Sequence, residues 1–193
     1  KSGVSVGEHQ VVLHGNEYIL EKLGEYEFMI SADSFFQTNT RQAEKLYDII
    51  LEEAELDGTQ IVYDLFCGTG SISIYISNHA KMVYGFELVM SAVQDAMQNA
   101  VNNKVKNAWF FAGDLKDLFH SNIEVKDLEN PDVIIVDPPR VGLHAKTIDD
   151  ILEKAPERIL YVSCNPATQA RDMAVLCSEE YELIKLRPLD MFP

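Results

Sequence analysis

Asp64-Leu65-Phe66-Cys67-Gly68-Thr69-Gly70 follows the apolar run Ile61-Val62-Tyr63 and precedes Ser71 to Ser77, a run that can start a helix. Strand, glycine turn and helix start together make a ligand cradle. Glycine lets the backbone approach a ligand at positive φ, and the free N–H groups of a helix start favour polar or anionic groups. The pattern D-x-F-x-G-x-G departs from the dinucleotide fingerprint G-x-G-x-x-G, because an acid opens the loop and only two glycines follow. An acid here suits a ligand with a positively charged amino group. A glycine turn alone is weak evidence, since many strand–helix corners carry one for geometry, so the neighbouring positions must decide.

Outward from this loop the chain alternates strand and helix. Apolar strands are expected at 60–65, 82–86, 109–112, 133–136 and 158–162, with helices at 71–77, 91–102, 147–153 and 167–177, and a last strand at 181–186. Repeated βα units with all-apolar strands specify a parallel, doubly wound sheet covered on both faces, a Rossmann-like α/β fold. The charged stretch 121–130 reads as a solvated loop. Upstream, residues 1–31 read as a small β meander with strands at 10–13, 18–23 and 26–30, separated by His14-Gly15-Asn16 and Gly24-Glu25. Ser34-Phe35-Phe36-Gln37-Thr38-Asn39 follows, read as a hydrophobic staple and N-cap for a helix at 40–54. That helix places Ala43, Leu46, Tyr47, Ile50 and Ala54 on one face. The division is a short N-terminal β segment, 1–33, the remnant of a preceding domain, and a catalytic α/β domain, 34–193.

A chain of 193 residues that is 47% hydrophobic is long enough for one α/β domain with a full core. It has no apolar run of about 18 residues and no signal-peptide pattern, which predicts a soluble, cytoplasmic domain without membrane association. Cys67, Cys164 and Cys177 are an odd count without ligand spacing, against a disulfide framework and against a metal site. The net charge of −15 predicts repulsion from nucleic acid. The chain opens at Lys1 in mid-pattern and stops at Phe192-Pro193 just after a strand-like run. The expectation is a piece of a larger protein whose basic domain supplies the nucleic-acid affinity.

In a doubly wound sheet, ligands sit beyond the carboxyl ends of the strands. Four strands here end on an acid: Asp64 before the glycine loop, Glu87 where a carboxylate can accept from both ribose hydroxyls, Asp114 where one can bind an adenine amino group, and Asp137. A single such acid is more often an N-cap. Several at successive strand ends beside a glycine loop read as an S-adenosylmethionine site. Asp137 opens Asp137-Pro138-Pro139-Arg140, a rigid corner, since proline cannot continue a buried strand. Related corners in adenine N-methyltransferases carry an aromatic that stacks a flipped base. Arg140 stands at that position and can instead pair with a phosphate or with base carbonyls, or form a surface salt bridge.

The strand at 158–162 runs into Ser163-Cys164-Asn165-Pro166. Cys164 lies between polar residues at a strand end, ahead of a helix, where a core cysteine is not expected and a thiolate can be stabilised. It is the candidate nucleophile. Cys177, on a helix face, and Cys67, in the glycine loop, read as packing residues. Cofactor and nucleophile together suggest a reaction. Carbon 5 of a pyrimidine is too weakly nucleophilic to take a methyl group unaided, and thiolate addition at carbon 6 gives an enolate whose carbon 5 can attack.

These residues resemble a known family, the RNA uracil-5-methyltransferases that make 5-methyluridine in tRNA and 23S rRNA. The resemblance runs from Ser34 to Pro193 through Phe35-Phe36-Gln37-Thr38-Asn39, the loop at 64–70, Asp137-Pro138-Pro139-Arg140-Val141-Gly142 and the long motif 162–172 around Cys164. It implies Cys164 as the nucleophile and cofactor contacts from Gln37, Phe66, Ser71, Glu87, Asp114 and Asp137. Position 71 is often Asn in the family. The family's general base is a Glu in a motif that begins at a Phe-Pro like Phe192-Pro193, so this stretch is expected to bind cofactor and to turn over poorly. RNA is the implied partner, mostly through parts outside these residues, and no protein partner is implied. Two alternatives stand beside this reading: a nucleobase N-methyltransferase, which needs no nucleophile, and a non-catalytic RNA-binding factor that keeps the fold.

Overall fold

A computed structural model of the chain describes residues 11–32 and 34–193, apart from the side chain of Glu179. Two antiparallel strands, β1 (Tyr18–Leu23) and β2 (Tyr26–Ser31), form a hairpin that turns at Gly24 with φ +61°. The helix α1 (Thr40–Ala54) leads into β3 (Ile61–Leu65), α2 (Ser71–Ile76), β4 (Met82–Glu87), α3 (Met90–Asn102) and β5 (Ala108–Ala112). Two short helices, α4 (Leu115–Ser121) and α5 (Ile123–Lys126), precede β6 (Val133–Val136), α6 (Ala145–Lys154), β7 (Arg158–Tyr161) and α7 (Pro166–Glu179). The order in the second sheet is β5-β4-β3-β6-β7, with every pair parallel. This is the doubly wound fold that the alternating pattern predicts. The chain winds outward from β3 to β5 and then returns to the other side of β3, so a topological switch point lies between β3 and β6.

The period-two alternation of each strand divides the core into two layers. Val62, Val83, Val133 and Ile135 face one side, against α1, α2, α3 and the hairpin. Ile61, Tyr63, Leu65, Ile134 and Val136 face the other, against residues of α4, α6 and α7 such as Leu118, Ile148 and Leu176. All five residues of β3 are buried, Asp64 among them.

The hairpin joins the domain through a side-chain ladder. Asn99 accepts from the N–H of Met29 at 2.7 Å and donates to its carbonyl at 3.0 Å, and Asn103 does the same with Glu27 at 2.9 and 2.8 Å. Asp95 completes the series by accepting from Ser31 N at 3.1 Å and Ser31 Oγ at 2.7 Å. Four residues of helix rise about 6 Å and two of strand about 6.7 Å, so helical positions four apart stay in step with strand positions two apart. The side chains of α3 thereby act as the neighbouring strand that β2 lacks on this edge.

Several expectations are corrected. Stretch 121–130 is not a solvated loop, because it contains α5, and Val125 inserts into the second layer with Leu115, Leu118 and Phe119. The apolar spacing at 115, 118 and 119 is helical, and the surrounding charges mask it. Residues 181–186 form no strand. Instead Lys185 and Arg187 pair with Glu53, and Arg187 also with Glu52, so side-chain ion pairs to α1 replace a backbone ladder. Of the expected strand at 10–13, residue 10 lies outside the described residues and Val11 to Leu13 form no strand. Cys177 is exposed rather than packed, since the buried face of α7 passes through Asp172 and Leu176. No helix among the described residues is long and apolar enough to cross a membrane.

Candidate active site

The glycine loop hangs from the end of β4. Phe66 N and Cys67 N both donate to the Phe86 carbonyl, at 2.8 and 3.1 Å. Phe66 itself takes φ +68°, a left-handed conformation that is rare for an aromatic residue and that recurs at ligand-binding turns. Glu87 accepts from Gly68 N at 3.1 Å and from Val89 N at 2.9 Å, so the carboxylate expected to meet a ribose also braces the loop. At Gly70, a Cβ would stand 2.8 Å from the Phe110 ring and 2.9 Å from Ala96 Cβ, so only glycine fits against the core. At Gly68, with φ +53°, the nearest atom to a Cβ is 3.9 Å away, and that side is open. Cys67 packs inward and burial pushes its thiol pKa up, in keeping with a packing role.

On the open side lies a pocket bounded by Gln37, Tyr47, Phe66, Thr69, Ser71 and Asp137, with Phe35 and Phe36 at its edge. Four of the expected cofactor residues therefore converge: Gln37, Phe66, Ser71 and Asp137. Burial raises the Asp137 carboxyl to about 6. Asp64 lies behind the loop, fully buried, with Oδ2 accepting from Ser73 Oγ at 2.6 Å and Oδ1 without a partner. Burial, and then the nearby charges of Asp137 and Glu87, raise it to about 7, against the Ser73 hydrogen bond. Asp114 stands one strand further along, outside this pocket, where it caps α4 by accepting from Lys116 N at 3.1 Å.

Cys164 is exposed in the turn between β7 and α7. The turn is bound to the Asp137–Arg140 corner at the next strand end. Asn165 Nδ2 and Thr168 Oγ1 donate to the Arg140 carbonyl, at 2.9 and 3.2 Å, while Asn165 Oδ1 caps α7. Among the described residues the Arg140 side chain has no ion pair, unlike Arg158, Arg171 and Arg187. A second clamp lies below: buried Asp172 accepts from Leu143 N and from Tyr161 Oη, each at 2.7 Å, and pairs with Arg171. Arg171 in turn donates to the carbonyls of Val141 and Leu143. On the other side of the pocket, Asn39 caps α1 and donates to the Met191 carbonyl at 2.8 Å, so the end of the described chain runs beside the loop that carries Gln37.

Sequence reasoning overlooks Tyr47, Thr69 and Asp172. Tyr47 sits on an apolar helix face and reads as core, yet its hydroxyl is 2.7 Å from Ser71 Oγ in the pocket wall. The Thr69 hydroxyl is buried without a partner.

Comparison with known proteins identifies the lineage of this arrangement. The profile of the tRNA (uracil-5-)-methyltransferase family matches residues 4–193. The chain belongs to that family. An uncharacterized RNA methyltransferase of Porphyromonas gingivalis is 48% identical over 195 residues, spanning 100% of this chain and 42% of the relative. One of Chlorobaculum tepidum is 46% identical over 193 residues, spanning 100% and 40%. The chain thus spans about two fifths of the length of these relatives. Among solved structures, the Pyrococcus abyssi tRNA (uracil-54, C5)-methyltransferase in complex with S-adenosyl-L-homocysteine superposes with a TM-score of 0.79 at 34% identity, over 93% of this chain and 42% of that one. A putative S-adenosylmethionine-dependent methyltransferase of Streptococcus mutans, 15% identical with a TM-score of 0.70 over 94% of this chain and 52% of that one, shares the fold.

The residues of this chain fit such a cofactor. The open side of Gly68 leaves room for a ligand, Asp137 offers an acid to an amino group, and Thr69 lines the same pocket.

Proposed function

We propose that the protein transfers a methyl group from S-adenosylmethionine to carbon 5 of a uridine in RNA, 23S rRNA or tRNA, through covalent addition of Cys164 to carbon 6. One observation carries the reading. The turn of Cys164 is tied by Asn165 and Thr168 to the backbone of Arg140, so an exposed thiol and the Asp137 end of the pocket stand at adjacent strand ends. Family membership and the likeness to the Pyrococcus enzyme support it.

In this reading Gln37, Phe66, Ser71 and Asp137 hold the methionine end of the cofactor, Glu87 accepts from its ribose hydroxyls and Asp114 from its adenine amino group. When bound, S-adenosylmethionine supplies an electrophilic methyl group on a sulfonium. The Cys164 thiolate adds to carbon 6 and pushes the ring π electrons toward the carbon 4 carbonyl, which makes an enolate. Carbon 5 of that enolate would take the methyl group as the methyl–sulfonium bond breaks, with neutral S-adenosylhomocysteine as the leaving group. A base then removes the proton from carbon 5, the double bond re-forms, and the thiolate leaves. Arg140 is placed by chemistry to meet a phosphate or base carbonyl of the target nucleotide. With a net charge of −15, these residues gain RNA affinity from parts of the protein outside them.

The test is tritium release from RNA labelled at carbon 5 of uridine, using the whole protein and S-adenosylmethionine. Release that Cys164→Ala abolishes is expected. Methylation without release, unaffected by Cys164→Ala, would instead favour the N-methyltransferase reading that the Asp137-Pro138-Pro139 corner suggests. RNA binding without any methylation would favour the non-catalytic factor.

A further inference from the structure

β5 is an edge strand, and Ala108-Trp109-Phe110-Phe111-Ala112 leaves its outer side unpaired among the described residues. Val83 N donates to the Asn107 carbonyl at 2.8 Å, and Gly113 N to the Glu87 carbonyl at 2.9 Å. Along a parallel ladder, residues that bond one neighbour alternate with residues that face the other side. The odd-numbered positions therefore serve β4, and Ala108, Phe110 and Ala112 turn their N–H and C=O groups to the open edge. Soluble proteins blunt such edges with lysine, proline or a bulge, and β5 carries none of these. Trp109 beside it is 58% exposed.

The flank of α3 on that side is bare of charge. At 3.6 residues per turn, Met90, Met97 and Val101 fall within about 40° of one another. All three are exposed, and they lie across the helix from Asn99, which faces the hairpin. Since α3 packs on β4 and β5, the stripe runs beside the open edge. Asp95, the only charged residue of α3, is buried against Ser31 and Ser34. In a chain of net charge −15, such a flank is where a second copy can approach without repulsion.

We propose that two copies of the protein pair antiparallel through β5, about a two-fold axis at Phe110, with the α3 stripes alongside. The strand is self-complementary in this register. Phe110 meets Phe110 of the second copy as a hydrogen-bonded pair and Ala108 meets Ala112, which satisfies the open N–H and C=O groups of all three positions. Trp109 comes opposite Phe111, and so extends the aromatic row in which Phe111 stacks on Phe86 at 5.6 Å. Lys106, just before β5, comes opposite Asp114, just after it. An axis at Trp109 would instead set Trp109 against its own copy and Lys106 against Ala112. Cys164 follows β7, at the other edge of the sheet, so this pairing leaves it open to substrate.

The test is sedimentation of the whole protein from about 1 to about 100 μM, beside Trp109→Lys and Val101→Glu. Both positions are exposed, and thermal melts report that each variant keeps the fold. The wild-type protein should pass from monomer to dimer across this range. Each variant should raise the dissociation constant by about tenfold or more, because it places a charge in the contact. Hydrogen exchange at the amides of Ala108, Phe110 and Ala112 should slow as the wild-type concentration rises, and should not in Trp109→Lys. A wild-type monomer throughout, its edge left open or covered by another part of its own chain, overturns the proposal. So does a dimer that leaves those amides unprotected or that both variants leave intact, since it uses another surface.

Discussion

The carboxylate of Asp172 on α7 accepts the backbone N–H of Leu143 at 2.7 Å, which anchors the loop after β6 to the helix that follows Cys164. The same oxygen accepts from Tyr161 Oη, and no space remains for a side chain at Gly142, where a Cβ would stand 2.5 Å from it. Two segments far apart in sequence are thus one rigid unit beneath Arg140 and Cys164. Asp172→Ala leaves the Leu143 N–H and the Tyr161 hydroxyl without an acceptor and is expected to cost about 1–3 kcal/mol. Chemical denaturation of the variant, read as a shift of the midpoint at unchanged slope, measures it.

Gly85 separates Phe110 from Cys67. A Cβ there would stand 2.5 Å from the Phe110 ring and 2.9 Å from the Cys67 sulfur. Gly85→Ala is therefore expected to destabilise by about 1–3 kcal/mol and to displace the glycine loop, with a loss of cofactor affinity. The double variant with Phe110→Leu relieves the ring contact, and calorimetric recovery of affinity is the check. Recovery of stability without affinity would mean that the loop does not shape the pocket.

The raised carboxyls of Asp64, about 7, and Asp137, about 6, set a pH dependence. Both bind protons more tightly folded than unfolded, where the reference is 3.8. The unliganded protein therefore loses stability as pH rises from about 4 to about 7 and is level above that, by linkage. A ligand ammonium favours the ionised forms, so affinity for S-adenosylhomocysteine falls as pH drops through the same window. Thermal melts with and without that ligand across the window should show the two trends in opposite directions. Asp137→Asn should shrink both trends and leave the part that Asp64 contributes.

Asn99 substitutes for a strand at the edge of β2, bonding both backbone groups of Met29. Asn99→Ala should weaken the docking of the hairpin by about 1–3 kcal/mol. Because Asn99 Nδ2 also donates to the Thr69 carbonyl at 3.2 Å, faster amide exchange in β1, β2 and the glycine loop, with β3 still protected, is the expected signature.

Much of this was legible in residues whose environment is set locally. The short apolar runs of β3, β4 and β6, alternating with helical segments, indicate parallel strands, and the loop at 64–70 follows from its own glycines. Gln37, Phe66, Ser71 and Asp137, which the family resemblance names as cofactor contacts, line one pocket. What was hidden depends on partners remote in sequence. The destination of the Tyr47 hydroxyl is fixed by how α1 meets α2, and that of Asp172 by how α7 meets the loop after β6. The strand-like pattern at 181–186 reports alternation but not whether a neighbouring edge is available, and Glu52 and Glu53 on α1 captured Lys185 and Arg187 instead. Asp114 shows the ambiguity of a short acid motif: the residue expected to face adenine also caps α4, and one carboxylate has room for both.

The central claim is that Cys164 attacks carbon 6 of a uridine. Intact mass of the whole protein after incubation with S-adenosylmethionine and RNA substituted with 5-fluorouridine tests it most directly, because fluorine cannot leave carbon 5 as a proton and the adduct must accumulate. The account predicts a protein–RNA adduct that is absent in Cys164→Ala. No adduct on either tRNA or rRNA substrates, with cofactor binding intact, would contradict it.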